Sequence, residues 1–199
     1  MTDFIIHPVG MLEVNCMLVP IGDKLYIIDP GADAQEIINL ARKQHFSEAV
    51  ILLTHAHVDH IGAVGEVAQA LNVKTVYLHS GDHNLYSSPS NCLSPWLPRA
   101  ENLPPVTGTI DSEDFSVLET PGHTQGGVCF YFKQIPALLV GDTLFAGSVG
   151  RTDLPGGNHA QLIRSIKEQL FVLPPELKIY PGHGVPSSIG REKSVNPYL

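Results

Sequence analysis

The sequence predicts an α/β sandwich of grouped strands with interspersed helices, and three observations carry that prediction. Short apolar runs closed by Pro, Gly or Asp recur in both halves of the 199 residues. Stretches with apolar side chains at helical spacing fall between them. Neither a Gly-x-Gly-x-x-Gly turn nor a Walker A loop is present, so the pattern does not read as a nucleotide-binding, singly wound βαβ sheet.

Taken in order, Phe4–Val9, Val14–Pro20 and Lys24–Asp29 are three brief strands ended by turn residues. From Asp33 to about Gln44, apolar residues at 37, 38 and 41 predict a helix with Asp33 as its cap. Ala49–Leu53 is a continuous apolar run, as in a buried strand, and leads directly into a polar cluster. Residues 62–71 read as a helix and 75–78 as a strand. The segment 80–105 holds five prolines and five serines in 26 residues, which disfavours long regular structure. Its Tyr86, Leu93, Trp96 and Leu97 either pack over the core or form a binding wall, with packing the expectation. In the second half, 115–120, 128–132, 137–140 and 178–180 read as strands and Ala160–Leu170 as an amphipathic helix. Leu-Glu-Thr-Pro-Gly-His ending at His123 echoes Lys-Ile-Tyr-Pro-Gly-His ending at His183, as two similar halves would produce.

Composition narrows the chemistry. Twelve basic against 20 acidic residues give a net charge of −8, which argues against a nucleic-acid partner. No apolar run approaches the ~18 residues that span a bilayer, and the N-terminus lacks a secretory pattern. Cys16, Cys92 and Cys129 are odd in number and widely spaced, as expected of reduced thiols in a cytoplasmic protein.

The chemistry centres on histidine. Thr54-His55-Ala56-His57-Val58-Asp59-His60 follows the buried strand at once. With ten His and ten Asp in 199 residues, this four-donor pattern arises by chance roughly once in a thousand such chains. Three imidazoles and a carboxylate are poor core filler, since unpaired burial costs on the order of several kcal/mol each. Neutral imidazole and ionised carboxylate are the ligand set of zinc, iron or manganese. His123, Asp142 and His183 each follow another apolar run beside a glycine. Singly, each of these reads as a structural histidine or a turn aspartate; jointly with the cluster they read as metal ligands. The remaining histidines, His7, His45, His79, His83 and His159, read as ordinary surface or core residues.

On these residues the chain resembles the metallo-β-lactamase fold superfamily over essentially its whole length. The resemblance implies a four-layer αβ/βα sandwich and two divalent ions, with zinc expected and iron or manganese tolerated. It implies that His55, His57 and His123 hold one ion, that Asp59, His60 and His183 hold the other, and that Asp142 bridges them. Asp29, closing Lys-Leu-Tyr-Ile-Ile-Asp-Pro-Gly, is either an aspartate that supports the ligands from behind or a turn-former. Gly141–Leu154, with Pro-Gly-His-Gly near the end, resembles the short glyoxalase II-like hydrolases. That implies hydrolysis of a thioester such as S-D-lactoylglutathione by a metal-bridging hydroxide, with Asp59 handling the water's proton. Arg151 matches a basic substrate-contact position of that family, while Asp153 stands where an aromatic follows. The expected organisation is one catalytic domain, 1–199, without the helical domain of long glyoxalase II enzymes.

Two other classes compete. A persulfide dioxygenase would use one iron on His55, His123 and Asp142, but has Cys where this chain has Val149. A metal-binding module without catalysis is the third. A nuclease is disfavoured by charge, and a β-lactamase by the missing export signal and the Gly-Arg-Thr-Asp segment. The expected partner is a small thioester, glutathione-derived or of another thiol, with neither nucleic acid nor membrane; oligomeric state is left open.

Overall fold

Strand-forming runs and helical stretches alternate as the sequence predicts. The computed structural model describes residues 4–199, which divide into two compact units at Ile110/Asp111. In the first, β1 (Ile5–Val9), β2 (Val14–Ile21), β3 (Lys24–Ile28), β4 (Glu48–Leu52) and β5 (Thr75–Tyr77) form one sheet in chain order. β1 to β3 are an antiparallel meander, and β3, β4 and β5 run parallel. The parallel pairs need crossovers: α1 (Ala34–Ala41) supplies the first, α2 (Val58–Ile61) and α3 (Val64–Ala70) the second. Ile37, Ile38 and Ala41 of α1 and Val64, Val67 and Ala68 of α3 share a core with Leu18, Ile27 and Ile51.

Asp33 does precede α1, but it does not cap it through its side chain. Its φ is 50°, and its carboxylate accepts the Gly10 N–H at 2.7 Å instead. The competing donor from the β1–β2 turn holds that oxygen.

The segment 80–105 contains only a 3₁₀ turn, Ser80–Asp82, and the one-turn α4 (His83–Tyr86) as helix. It packs at both ends and not in the middle: Tyr86 is buried in the core with its hydroxyl donating to the Pro104 carbonyl, and Ala100 and Leu103 pack against the same core, whereas Trp96 is 70% exposed.

In the second unit, β6 (Phe115–Glu119), β7 (Val128–Phe132), β8 (Ala137–Gly141), β11 (Lys178–Pro181) and β12 (Ser187–Ser188) form a sheet of order β12-β11-β8-β7-β6. A small hairpin, β9 (Leu144–Phe145) with β10 (Ser148–Val149), leaves the end of β8. α5 (His159–Ser165) continues as a π-helical turn, Ile166–Leu170. Its buried stripe is Leu162, Ile166 and Leu170. Four-residue spacing drifts by about 40° per step on an ideal α-helix, and the wider turn keeps these side chains on one line.

The C-terminal α6 (Ile189–Val195) has no apolar periodicity because the residue it buries beside Ile189 is Glu192. That carboxylate accepts from Gly147 N–H at 2.8 Å, Asn196 Nδ2 at 2.9 Å, Arg191 Nη1 at 3.0 Å and the Ser187 hydroxyl. Burial pushes its pKa up, and the donors from Ser187, Gly147 and Asn196, with the Arg191 charge, outweigh burial and leave it lowered.

The two Pro-Gly-His echoes do not mark two halves, since both end strands of the second unit's sheet, β6 and β11. The repetition lies in topology instead. Each unit has a three-strand antiparallel meander whose last strand pairs in parallel with the next, β3 with β4 and β8 with β11. In both, an aspartate follows the meander's last strand (Asp29, Asp142) and a histidine follows its parallel neighbour (His55, His183).

Candidate metal centre

Parallel neighbours end side by side, so residues just beyond them are delivered to one edge of their sheet. In the first unit this brings Asp29 to Thr54. The Asp29 N–H continues the ladder to Leu52 O at 3.1 Å, and then the backbone turns with φ 49°. The Asp29 carboxylate accepts three hydrogen bonds: from Thr54 N at 2.8 Å, Thr54 Oγ1 at 2.6 Å and His60 Nδ1 at 3.0 Å. Asp29 is therefore both of the things the sequence left open, a turn residue and a support for the histidines.

The proton bookkeeping follows from these contacts. A carboxylate only accepts, so His60 carries its hydrogen on Nδ1. Thr54 spends its one hydroxyl hydrogen on Asp29, so its oxygen accepts from His55 Nδ1 at 3.1 Å. Both rings are thus held with Nε2 as the lone-pair nitrogen, the form that ligates a metal, by the outer partners such ligands require. His55 Nε2 and His60 Nε2 are buried and make no hydrogen bond among the described residues. The rings cluster closely: His55 and His57 centroids are 4.9 Å apart edge-on, and His55 and His60 4.1 Å apart. Asp59 Oδ2 lies 3.9 Å from His60 Nε2. Donor atoms of Asp29, His55 and His60 converge within 4.8 Å, yet the three hydrogen bonds on Asp29 make it an orienting group and not a ligand.

The loop is braced from segment 80–105. Buried Asp82 accepts the Ala56 N–H at 3.0 Å, and Asn91 Nδ2 donates to Ala56 O at 2.6 Å. These two side chains fix the peptide between His55 and His57, so this part of the segment is packed structure. Tight passage of the chain also demands glycine at 31, where a Cβ would lie 1.7 Å from Asp59 O.

In the second unit, His123 and His183 flank Asp142. The Oδ2 of Asp142 is 3.7 Å from His123 Nε2 and 3.6 Å from His183 Nε2, longer than hydrogen bonds. His123 Nδ1 donates to Arg151 O at 2.7 Å, which again leaves Nε2 as the lone-pair nitrogen. The His123 loop is clamped onto α5: Asn158 N–H donates to Gly122 O at 2.7 Å and Ser165 Oγ to Pro121 O at 2.8 Å. At Gly150 a Cβ would sit 1.9 Å from Asp142 O and 3.2 Å from His123 Nδ1, so only glycine allows the two ligands this approach.

Neutral imidazole nitrogens facing carboxylate oxygens fit divalent cations by donor chemistry, and the Nδ1 partners of three rings fit the same role. No cysteine joins them. Burial pushes the Cys129 thiol up to about 11 against hydrogen bonds with Thr120 and Thr143, and burial beside Asp29 raises Cys16 as well. Neither is a thiolate nucleophile at neutral pH.

Sequence reasoning gave no role to Thr54, Asp82 or Asn91. Only Thr54 carried a signal, its place between the strand and His55. Arg151 is exposed and forms a two-pronged pair with Asp153, Nε–Oδ1 2.8 Å and Nη2–Oδ2 2.8 Å. Of the histidines read as ordinary, His7 bonds Glu36 at 2.8 Å and His83 the Leu78 carbonyl at 3.0 Å. No described helix is long and apolar enough to cross a membrane.

Comparison with known proteins places these features. The family described as the metallo-beta-lactamase superfamily matches residues 9–183. The probable metallo-hydrolase YqgX of Bacillus subtilis is 36% identical, covering 96% of this chain and 95% of its own. The hydroxyacylglutathione hydrolase GloC of Haemophilus influenzae is 35% identical, covering 98% and 96%. Among solved structures, TTHA1623 in a di-iron-bound form is 38% identical with TM-score 0.89, over 98% of this chain and 100% of that one. The BLEG-1 B3 metallo-beta-lactamase is 35% identical with TM-score 0.86, over 98% and 99%.

Proposed function

This chain belongs to the metallo-β-lactamase superfamily as a metallo-hydrolase of α/β-sandwich fold, and we propose that the bond it cleaves is a thioester, as in S-D-lactoylglutathione. The observation that carries this reading is the arrangement around Asp142, one carboxylate oxygen facing Nε2 of both His123 and His183. We take the two units as one catalytic domain. In it His55, His57 and His123 hold one divalent ion, Asp59, His60 and His183 the other, and Asp142 is shared. Zinc is our first assignment, and the di-iron relative makes iron the alternative.

When bound, the ions supply a water acidified toward neutral pH and a Lewis acid for the thioester carbonyl. The chain's own residues do the rest. Asp29 and Thr54 hold His55 and His60 in the ligating tautomer, and the Arg151 carbonyl does so for His123. Asp59 offers one carboxylate oxygen as ligand, and the other accepts the proton of the attacking water. The leaving thiol has a pKa of about 8.5, so it departs as thiolate without a dedicated acid. The buried cysteines take no part.

Elemental analysis of the purified protein, paired with thioester loss from S-lactoylglutathione, tests the reading. Two ions per chain with measurable thioester loss are expected. Oxygen uptake with glutathione persulfide and no thioester loss would replace the hydrolase by a mononuclear-iron dioxygenase. The likeness to BLEG-1 favours one second reading, β-lactam hydrolysis; ring opening without thioester loss would establish it. Bound metal with no turnover of any of these would leave a binding module.

A further inference from the structure

Beside the second-unit ligands lies a cavity of about 630 Å³ lined by Asp142, Phe145, Ala146, Arg151, His183 and Val185, among others. Its wall is largely apolar, and Val185 is 68% exposed at its edge. Among the described lining residues, Arg151 is the only guanidinium or ammonium. Its backbone carbonyl is tied to His123 Nδ1, so the stem of this side chain is anchored next to a proposed ligand. A fork of two N–H groups in this position is what an anionic substrate would use.

In this chain the fork is already filled. Both donors of the pair point to Asp153, and the Arg151 hydrogen bonds, with a backbone donor and the Coulomb attraction, hold the Asp153 carboxyl at about 2. Both partners are therefore charged throughout the neutral range. They also form a surface pair, with side chains 59% and 68% exposed, so the contact is weak enough for a second carboxylate to exchange with it.

We propose that Asp153 is a specificity-determining residue: it occupies the Arg151 fork and biases the pocket toward thioesters that are uncharged and apolar there, against anionic ones such as glutathione thioesters. The proposal rests on the thioesterase reading. Asp153 acts through Arg151 and touches no reacting atom, so it is a positioning residue for selectivity and not a catalytic one.

The test compares two thioesters with one acyl group, S-lactoylglutathione (anionic) and S-lactoyl-N-acetylcysteamine (neutral), in the parent, Asp153→Asn, Arg151→Gln and the double variant. In Asp153→Asn the ratio of kcat/KM, anionic over neutral, rises roughly 2- to 5-fold, the range of an exposed ion pair, and through KM. The rise disappears in the double variant and shrinks at high salt. An equal change on both substrates, no change, or a rise that survives loss of Arg151 overturns the proposal. A second readout separates it from the hydrolase reading: calorimetric binding of S-hexylglutathione, which has no thioester to cleave. Tighter binding by Asp153→Asn together with no turnover of either thioester would sustain the Arg151–Asp153 inference as a binding statement while rejecting thioester hydrolysis. Unchanged binding with normal turnover would do the reverse.

Discussion

Replacing Asp29 by Asn tests the link between the hydrogen-bond frame and metal binding most directly. The carboxylate accepts from three donors, two on Thr54 and one on His60. An amide of the same size has one accepting oxygen and an NH₂ that can only donate. If the oxygen keeps Thr54 N–H, the NH₂ meets the His60 Nδ1 hydrogen; if it turns toward His60, the NH₂ meets Thr54 N–H. Either way a donor faces a donor. The first clash is relieved if His60 moves its hydrogen to Nε2, the atom assigned to metal. A lost hydrogen bond to a charged group costs about 1.5–3 kcal/mol in the metal-free protein. Loss of the outer support for a ligating histidine costs about 10–100-fold in metal affinity. Chelator-competition titration with zinc, run beside urea unfolding of the metal-free protein, measures the two separately. Parent-like zinc affinity in Asp29→Asn would refute the tautomer argument, even if stability fell.

Three further outcomes are expected. Asp142→Ala removes the oxygen facing both His123 and His183, so metal content and turnover fall together, by more than the ~10–100-fold cost of an outer-partner change; full activity in that variant would reject the shared-ligand assignment. Gly150→Ala forces a methyl to 1.9 Å from Asp142 O, and overpacking of this kind costs about 1–3 kcal/mol, seen as a lower urea midpoint with reduced metal content. Glu192→Gln leaves its donors mismatched and lowers stability by about 1–3 kcal/mol at neutral pH. Because the folded pKa of Glu192 is depressed, its contribution is present above the unfolded value of about 4.3 and is lost as pH falls through the folded value. The variant's stability curve is therefore flatter than the parent's in that acid window, as pH-resolved denaturation would record.

Much of the fold was readable because its central strands are buried on both faces and appear as continuous apolar runs, as in 16–19 and 49–53. α1, α3 and α5 followed from apolar spacing. α6 did not, because the side chain it buries is a carboxylate whose partners come from Ser187, Gly147 and Asn196. The cap expected of Asp33 failed for a similar reason: the donor that claimed it lies 23 residues away in sequence, at Gly10.

The sequence alone determined the donor types and their places. Three histidines and an aspartate follow one buried strand, single His or Asp residues follow three others, and this follows from covalent order and the period of the apolar runs. The tertiary structure decided which nitrogen of His55, His60 and His123 holds the proton, that Ala56 is braced by Asp82 and Asn91, and that the Arg151 fork is closed by Asp153. The reason is physical. A tautomer is set by the hydrogen bond on the opposite ring nitrogen, and for His60 and His123 that partner lies 31 and 28 residues away in sequence. Residue type is local; the hydrogen bond that gives it a role is made only on folding.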